Sequence, residues 1–178
     1  MKRIFLTWLV VLPLVMNGQD LPKSELTVSA GYLFEGEAYA WTPNRYGSYG
    51  ETYWIKADYV GYLSNLIGLG GYVATGQPYY GANEAVSMTE LGVVCKVRFK
   101  ASEKFVVKFP LYIGYRSYGG GAGRGLAVNF SGVLQYQGEK LRPFLDVGFI
   151  TQPTGGNDYS EVTFAPVMQA SIGLAFTF

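Results

Sequence analysis

Histidine is absent from this 178-residue chain, and cysteine occurs once, at Cys95. The first absence removes the commonest metal ligand and the commonest general base. The second rules out an intrachain disulfide. Charge is scarce as well: Asp, Glu, Lys and Arg make up 15% of the residues, against about 25% in soluble domains. Formal net charge is +1, so no basic excess points to nucleic acid. Beyond the first 16 residues, no apolar run approaches the ~18 needed to suggest a membrane-crossing helix.

What is abundant is equally telling. Aromatics reach 16%, with 15 Tyr and 11 Phe, and there are 24 Gly. That combination favours strands and turns over helices.

The chain opens MKRIFLTWLVVLPLVMNGQD. Lys2 and Arg3 form a positive head, Ile4 to Met16 an apolar core broken at Pro13, and Gly18 a small residue suited to a cleavage site. Residues 1–18 are therefore expected to be a secretory signal peptide and residues 19–178 the exported domain. The core is short for a membrane anchor, and no cysteine follows it, which excludes a lipoprotein. Without Lys2 and Arg3 the remaining chain carries 12 basic and 13 acidic residues.

Through the exported domain apolar side chains recur with period two, the mark of a strand with one apolar face. Eight segments show it: ELTVSAGYLF, TYWIKADYVGYL, LIGLGGYVAT, MTELGVVCKVRF, FVVKFPLYIGYR, LAVNFSGVLQYQ, LRPFLDVGFIT and APVMQASIGLAFTF. Each is roughly ten residues, the length a tilted strand needs to cross a bilayer. Three short connections (63–65, 100–104 and 138–140) alternate with four longer ones (35–50, 76–86, 117–125 and 152–164) that are rich in Gly, Tyr, Asn and Pro. Short and long connections in strict alternation predict an all-β fold, an eight-stranded antiparallel up-and-down transmembrane β-barrel with short periplasmic turns and longer extracellular loops. Pro110 falls inside the fifth segment, where it cannot donate to the ladder, and a bulge is expected there.

The placement of charge decides which face is the core. The less apolar faces carry Lys56, Asp58, Glu90, Lys96, Arg98, Lys108, Arg116, Arg142 and Asp146, and the opposite faces almost none. A soluble barrel would place its polar face in water and carry more charge there; a membrane barrel is inverted. Tyr53, Tyr115, Phe34 and Phe149 fall near the loop ends, and Phe99, Phe105, Tyr136 and Phe178 near the turn ends, as two interfacial girdles would. Cys95 then faces lipid. Six cations and three anions enclosed in a narrow barrel must pair. By depth, Glu90 and Arg116 form the first pair, Asp58 and Asp146 draw on Lys56, Lys96 and Lys108, and Arg98 and Arg142 lie near the turns. This ion-pair network reads as a structural plug, with a gated conduction path as the other reading.

Signal peptide, eight alternating strands, loop order and the terminal Phe178 together resemble the small outer-membrane β-barrels of Gram-negative bacteria, the OmpA/OmpX/OmpW-like group. The resemblance spans the exported domain and rests on pattern rather than on a signature motif. It implies outer-membrane localisation and surrounding outer-membrane lipid. It also implies that the final aromatic, Phe178, serves as an assembly signal read by the barrel-assembly machinery. Known members include structural proteins, adhesins, small-solute pores and a few lipid-modifying enzymes.

Chemistry finds little support. The enzymatic members rely on His, which is missing, and the inward carboxylates are better explained as ion-pair partners. GGGAGRG at 119–125 lacks the spacing of a phosphate-binding loop, since the last required Gly falls on Arg124. No catalytic residue, cofactor or metal is expected. The loops are the candidate working surface, because Tyr and Trp on a rigid scaffold dominate contact hot spots. AYAWTPNRYGSYG, with Tyr39, Trp41, Arg45, Tyr46 and Tyr49, is the best candidate for recognising an extracellular or envelope protein partner. The sequence therefore predicts a non-enzymatic barrel with a structural or surface-recognition role. The alternative is a narrow pore or carrier for small or apolar solutes.

Overall fold

A computed structural model describes residues 23–34, 36–38, 47–49, 52–77, 79–80, 84–85, 87–119, 123–139, 141–154 and 163–178. The expected signal peptide lies outside the described residues. Eight strands close into one antiparallel barrel: β1 (Ser24–Leu33), β4 (Thr52–Tyr62), β5 (Ile67–Gly76), β8 (Met88–Lys100), β9 (Phe105–Tyr118), β10 (Gly123–Tyr136), β11 (Leu141–Thr154) and β12 (Thr163–Thr177). Each pairs with its sequence neighbour in the barrel, and β12 returns to pair with β1, from Glu25↔Thr177 to Leu33↔Gln169.

Two features of the connections were not foreseen. Four short strands, β2 (Gly36–Ala38), β3 (Gly47–Tyr49), β6 (Tyr79–Tyr80) and β7 (Glu84–Ala85), pair in that order as a second sheet, so the first two long connections are partly ordered against each other. The later strands also outrun the ten-residue expectation. β9 to β11 have 14 residues each and β12 has 15, because the ladders β9–β10 and β11–β12 continue into what read as loop.

Register is constant along every barrel ladder. Followed from Glu25 through Val60, Gly70, Val94, Tyr112, Asn129 and Ile150, the pairing reaches Val167 on β12, ten residues from Thr177, the β12 partner of Glu25 itself. That stagger makes the strands tilt. Constant register also corrects the expectation at Pro110. Lys96↔Pro110 and Val97↔Phe109 stay in step with β8. Toward β10 the pairs opposite Pro110 and Phe109 are missing, yet Phe130↔Leu111 and Val133↔Lys108 keep one register on either side. The missing donor is absorbed as a short gap in one ladder rather than as a bulge.

Because nothing slips, period two holds along each strand. Val28, Ile55, Leu69, Val93, Ile113, Phe130, Leu145 and Ile172 are exposed, while Lys56, Asp58, Glu90, Lys96, Lys108, Arg116 and Asp146 are buried. A barrel that is apolar outside and charged inside is built for lipid. The outer rings pack edge to face at both ends, Tyr32 with Phe34 and Tyr53 at one and Phe105 with Tyr136 at the other.

Glycines make room inside. Gly92 and Gly114 face each other across β8 and β9, and the Tyr72 ring lies across them. A Cβ on Gly92 would sit 2.3 Å from the Ile113 carbonyl oxygen, and one on Gly114 would sit 2.4 Å from the Tyr72 hydroxyl. Nothing lies within 4 Å of the corresponding point on Gly61. Gly92→Ala and Gly114→Ala should each lower unfolding free energy in detergent by about 1–3 kcal/mol, and Gly61→Ala should leave it nearly unchanged. Denaturant titrations of the three variants check this.

Candidate functional site: the charged interior

The described interior is layered. At the loop end Leu33, Trp54, Ala74, Met88 and Ile150 form an apolar cluster. Farther along the barrel Val60, Tyr72, Val94 and Tyr112 line the β4–β5–β8–β9 wall, with Tyr62 against them. Between and below these groups run the ion pairs.

One cluster centres on Glu90. The Arg116 guanidinium donates to its carboxylate through Nε at 2.7 Å and through Nη2, and forms a salt bridge with it. The Tyr72 hydroxyl donates to the other oxygen, and Asn129 Nδ2 joins it at 2.8 Å. Glu90 and Arg116 stand directly opposite on β8 and β9, so their meeting needs no reach across the barrel.

The second cluster does cross it. Lys96 of β8 donates to Asp58 of β4 at 2.6 Å, and Tyr112 of β9 donates to the second Asp58 oxygen at 3.1 Å. Lys56 of β4 meets Asp146 of β11 at 3.4 Å, with its ammonium 3.9 Å from the centre of the Tyr112 ring and 4.8 Å from that of Trp54. A desolvated cation over aromatic faces is a favourable arrangement. Lys108 takes neither aspartate. It donates to Glu25 at 2.6 Å, where Gln135 Nε2 joins at 3.1 Å and Lys96 lies 3.5 Å away.

Glu25 is thus a fourth interior anion that the sequence reading did not single out. It sits one residue into β1, where a carboxylate reads as interfacial, but its even spacing from Thr27 and Ser29 places it on the inner face. Parity was the available signal. Arg98 and Arg142 depart from the expected ion-pair network in the other direction: among the described residues neither has a carboxylate within 4.0 Å. Arg98 Nε donates to the Asn65 carbonyl at 3.0 Å and Arg142 Nε to the Gly138 carbonyl at 2.9 Å. At the turn ends, exposed backbone carbonyls compete for these donors. Of the loop candidates, Tyr39, Trp41, Arg45 and Tyr46 lie outside the described residues. Tyr49 is the last residue of β3 and pairs with Tyr80.

Polar satisfaction is uneven around the wall. Buried atoms without a partner include Trp54 Nε1, Ser131 Oγ, Asp146 Oδ1, Ser171 Oγ and both Gln169 amide atoms. Ser131 and Gln169 flank Gly148, and Asp146 faces Ser171, so these atoms share the β10–β11–β12 side. Beside Asp146 is a cavity of about 10 Å³, lined by Lys56, Asp58, Lys96 and Tyr112 among others. That is room for about one water molecule in polar surroundings.

Removing one member of a buried pair strands the other charge, at a cost of about 3–5 kcal/mol. Glu90→Ala should therefore lower the unfolding temperature in detergent markedly. Glu90→Ala combined with Arg116→Ala should recover part of the loss, and strictly additive losses in the double-mutant cycle would remove the coupling between them.

No protein-family model and no curated protein sequence matches the chain. Solved structures do. The crystal structure of Neisserial surface protein A covers 90% of this chain and 100% of its own, at 9% identity and TM-score 0.60. The N-terminal β-barrel domain of Pseudomonas aeruginosa OprF covers 89% and 100%, at 13% identity and TM-score 0.49. Ail, the attachment invasion locus protein of Yersinia pestis, covers 88% and 99%, at 14% identity and TM-score 0.48. The chain has the fold of the small eight-stranded outer-membrane β-barrels.

Proposed function

We propose that the protein is an outer-membrane barrel with a closed interior, a structural anchor whose working surface is its extracellular loops. The observation that carries this reading is the filled lumen. Among the described residues, an apolar cluster at the loop end and cross-barrel ion pairs below it fill the section around a cavity of about 10 Å³ among the central charges. An ion on its way through would have to separate buried pairs, each held in a low dielectric. The Tyr- and Trp-rich segment 39–49 is the proposed recognition surface for an extracellular or envelope protein. Residues 1–18 are proposed to direct export and be removed, and Phe178 to be read during assembly.

Reconstitution in planar bilayers tests the closed interior: the purified protein should give no discrete conductance steps, and steady unitary steps would overturn the reading in favour of a narrow pore. The assembly role separates from stability. Deleting Phe178 should reduce the folded protein recovered from outer membranes several-fold, while the purified variant still refolds in detergent with a near-unchanged unfolding temperature. A loss of both together would make Phe178 a packing residue instead.

A further inference from the structure

The interior charges do not balance. Among the described residues six inward cations face four anions, and the two cations with no described carboxylate within 4.0 Å are Arg98 and Arg142. Both lie at the turn-side end. An uncompensated charge in a partly desolvated site is costly, so the surplus at this one mouth calls for a counter-charge from beyond the described residues.

The geometry there suits one. Each guanidinium commits its Nε to a turn carbonyl, Asn65 for Arg98 and Gly138 for Arg142, which holds the plane in place. The terminal amino groups remain without a carboxylate. Arg98 lies over the Tyr62 ring, its Cζ 3.3 Å from the ring centre. A guanidinium above the ring face is poorly placed to meet the hydroxyl in the ring plane, and the buried Tyr62 oxygen has no hydrogen-bond partner. Glu25 is within electrostatic reach of both arginines, but its two oxygens are already held by Lys108 and Gln135. It therefore offers them attraction at a distance but no direct hydrogen bond. Arg98 and the Tyr62 hydroxyl oxygen are buried, whereas Arg142 is part-exposed, so the group of donors is reached from the turn side past Arg142.

We propose that the turn-side mouth is an oxyanion site, in which Arg98, Arg142 and the Tyr62 hydroxyl receive a carboxylate or phosphate group. Planar guanidinium forks match the paired oxygens of such groups better than they match a spherical ion. The mouth lies near the level of the turn-side girdle, so the group arrives either as a free anion or on an acidic lipid headgroup. The site adds a ligand to the proposed closed barrel and does not depend on what the loops recognise.

The experiment follows the arginine side-chain Nε–H signals by NMR in mature protein refolded in zwitterionic detergent. Inorganic phosphate is titrated at ionic strength held constant with chloride. Saturable shifts are expected at Arg98 and Arg142, with Arg116, sealed against Glu90, unmoved. Arg142→Gln, at the part-exposed position, should still fold and should weaken phosphate binding roughly tenfold or more, as loss of a charge-assisted hydrogen bond does. Lys100→Gln, just beyond the site, should not. A second arm uses nanodiscs in buffer without inorganic phosphate: shifts with phosphatidylglycerol but not with phosphatidylcholine assign the anion to an acidic headgroup, and shifts with free phosphate alone assign it to a soluble ion. Three results would each overturn the site. These are the absence of saturable shifts in both arms, equal shifts for all arginines, and unchanged affinity in Arg142→Gln. The last, with a lowered unfolding temperature, would leave the arginines as turn caps only.

Discussion

Closure of the hydrogen-bonded ladder, completed where β12 meets β1, is the constraint from which the remaining structure follows. In lipid no water is available to satisfy a free strand edge, and each unpaired backbone group costs several kcal/mol. A barrel removes the edge, but only if its strands keep register, because a slip of one residue exchanges inside for outside. Here the register is constant around the circumference, even past Pro110, where two pairs are given up on one side so that the alternation can continue. The apolar exterior and charged interior are two readings of that single regularity.

An eight-stranded barrel is narrow enough for side chains to fill, and closure brings together residues far apart in the chain. Lys56 and Asp146 are 90 positions apart, and Glu25 and Lys108 are 83. These contacts brace opposite walls, whereas Glu90–Arg116 joins neighbours and gains its stability from Tyr72 and Asn129. Tyr72 reaches Glu90 because Gly92 and Gly114 leave the wall bare beneath its ring. The same economy is missing on the β10–β11–β12 side, where several buried polar atoms have no protein partner. That side is the part of the lumen with polarity suited to water.

Much of this was legible in the sequence because a period of two leaves little freedom: once Leu26, Val28 and Ala30 face lipid, Thr27 and Ser29 face inward. The Glu90–Arg116 contact was legible for the same reason, since adjacent strands at equal depth put the two residues side by side. Partners across the lumen were not. Whether Lys108 meets Asp58, Asp146 or Glu25 depends on the tilt and stagger of the whole barrel, which no single strand encodes. Glu25 was overlooked because a charge at a strand end reads as interfacial. The small sheet of β2, β3, β6 and β7 left no signal because its strands are two or three residues long, too short for periodicity to register.

The two ends of the lumen are chemically opposed, and this separates what each can do. At the loop end the barrel is closed by Leu33, Trp54, Ala74, Met88 and Ile150, side chains that offer a polar ligand almost nothing. The recognition proposed for that side would therefore fall to the loops. At the turn end the lumen opens onto arginines whose nearest fixed hydrogen-bond partners are backbone carbonyls, and the four cations and four anions described beneath them balance, so the surplus positive charge is that of the arginines themselves. A ligand met by the loops would be electrically remote from the interior, shielded by an apolar layer, whereas an anion at the turn side would sit in the field of Lys96 and Lys108 as well as of the two arginines. Coupling between the faces would have to pass through the Trp54 layer, where, among the described residues, the Lys56 ammonium rests against the indole and joins the apolar cap to the ion-paired core.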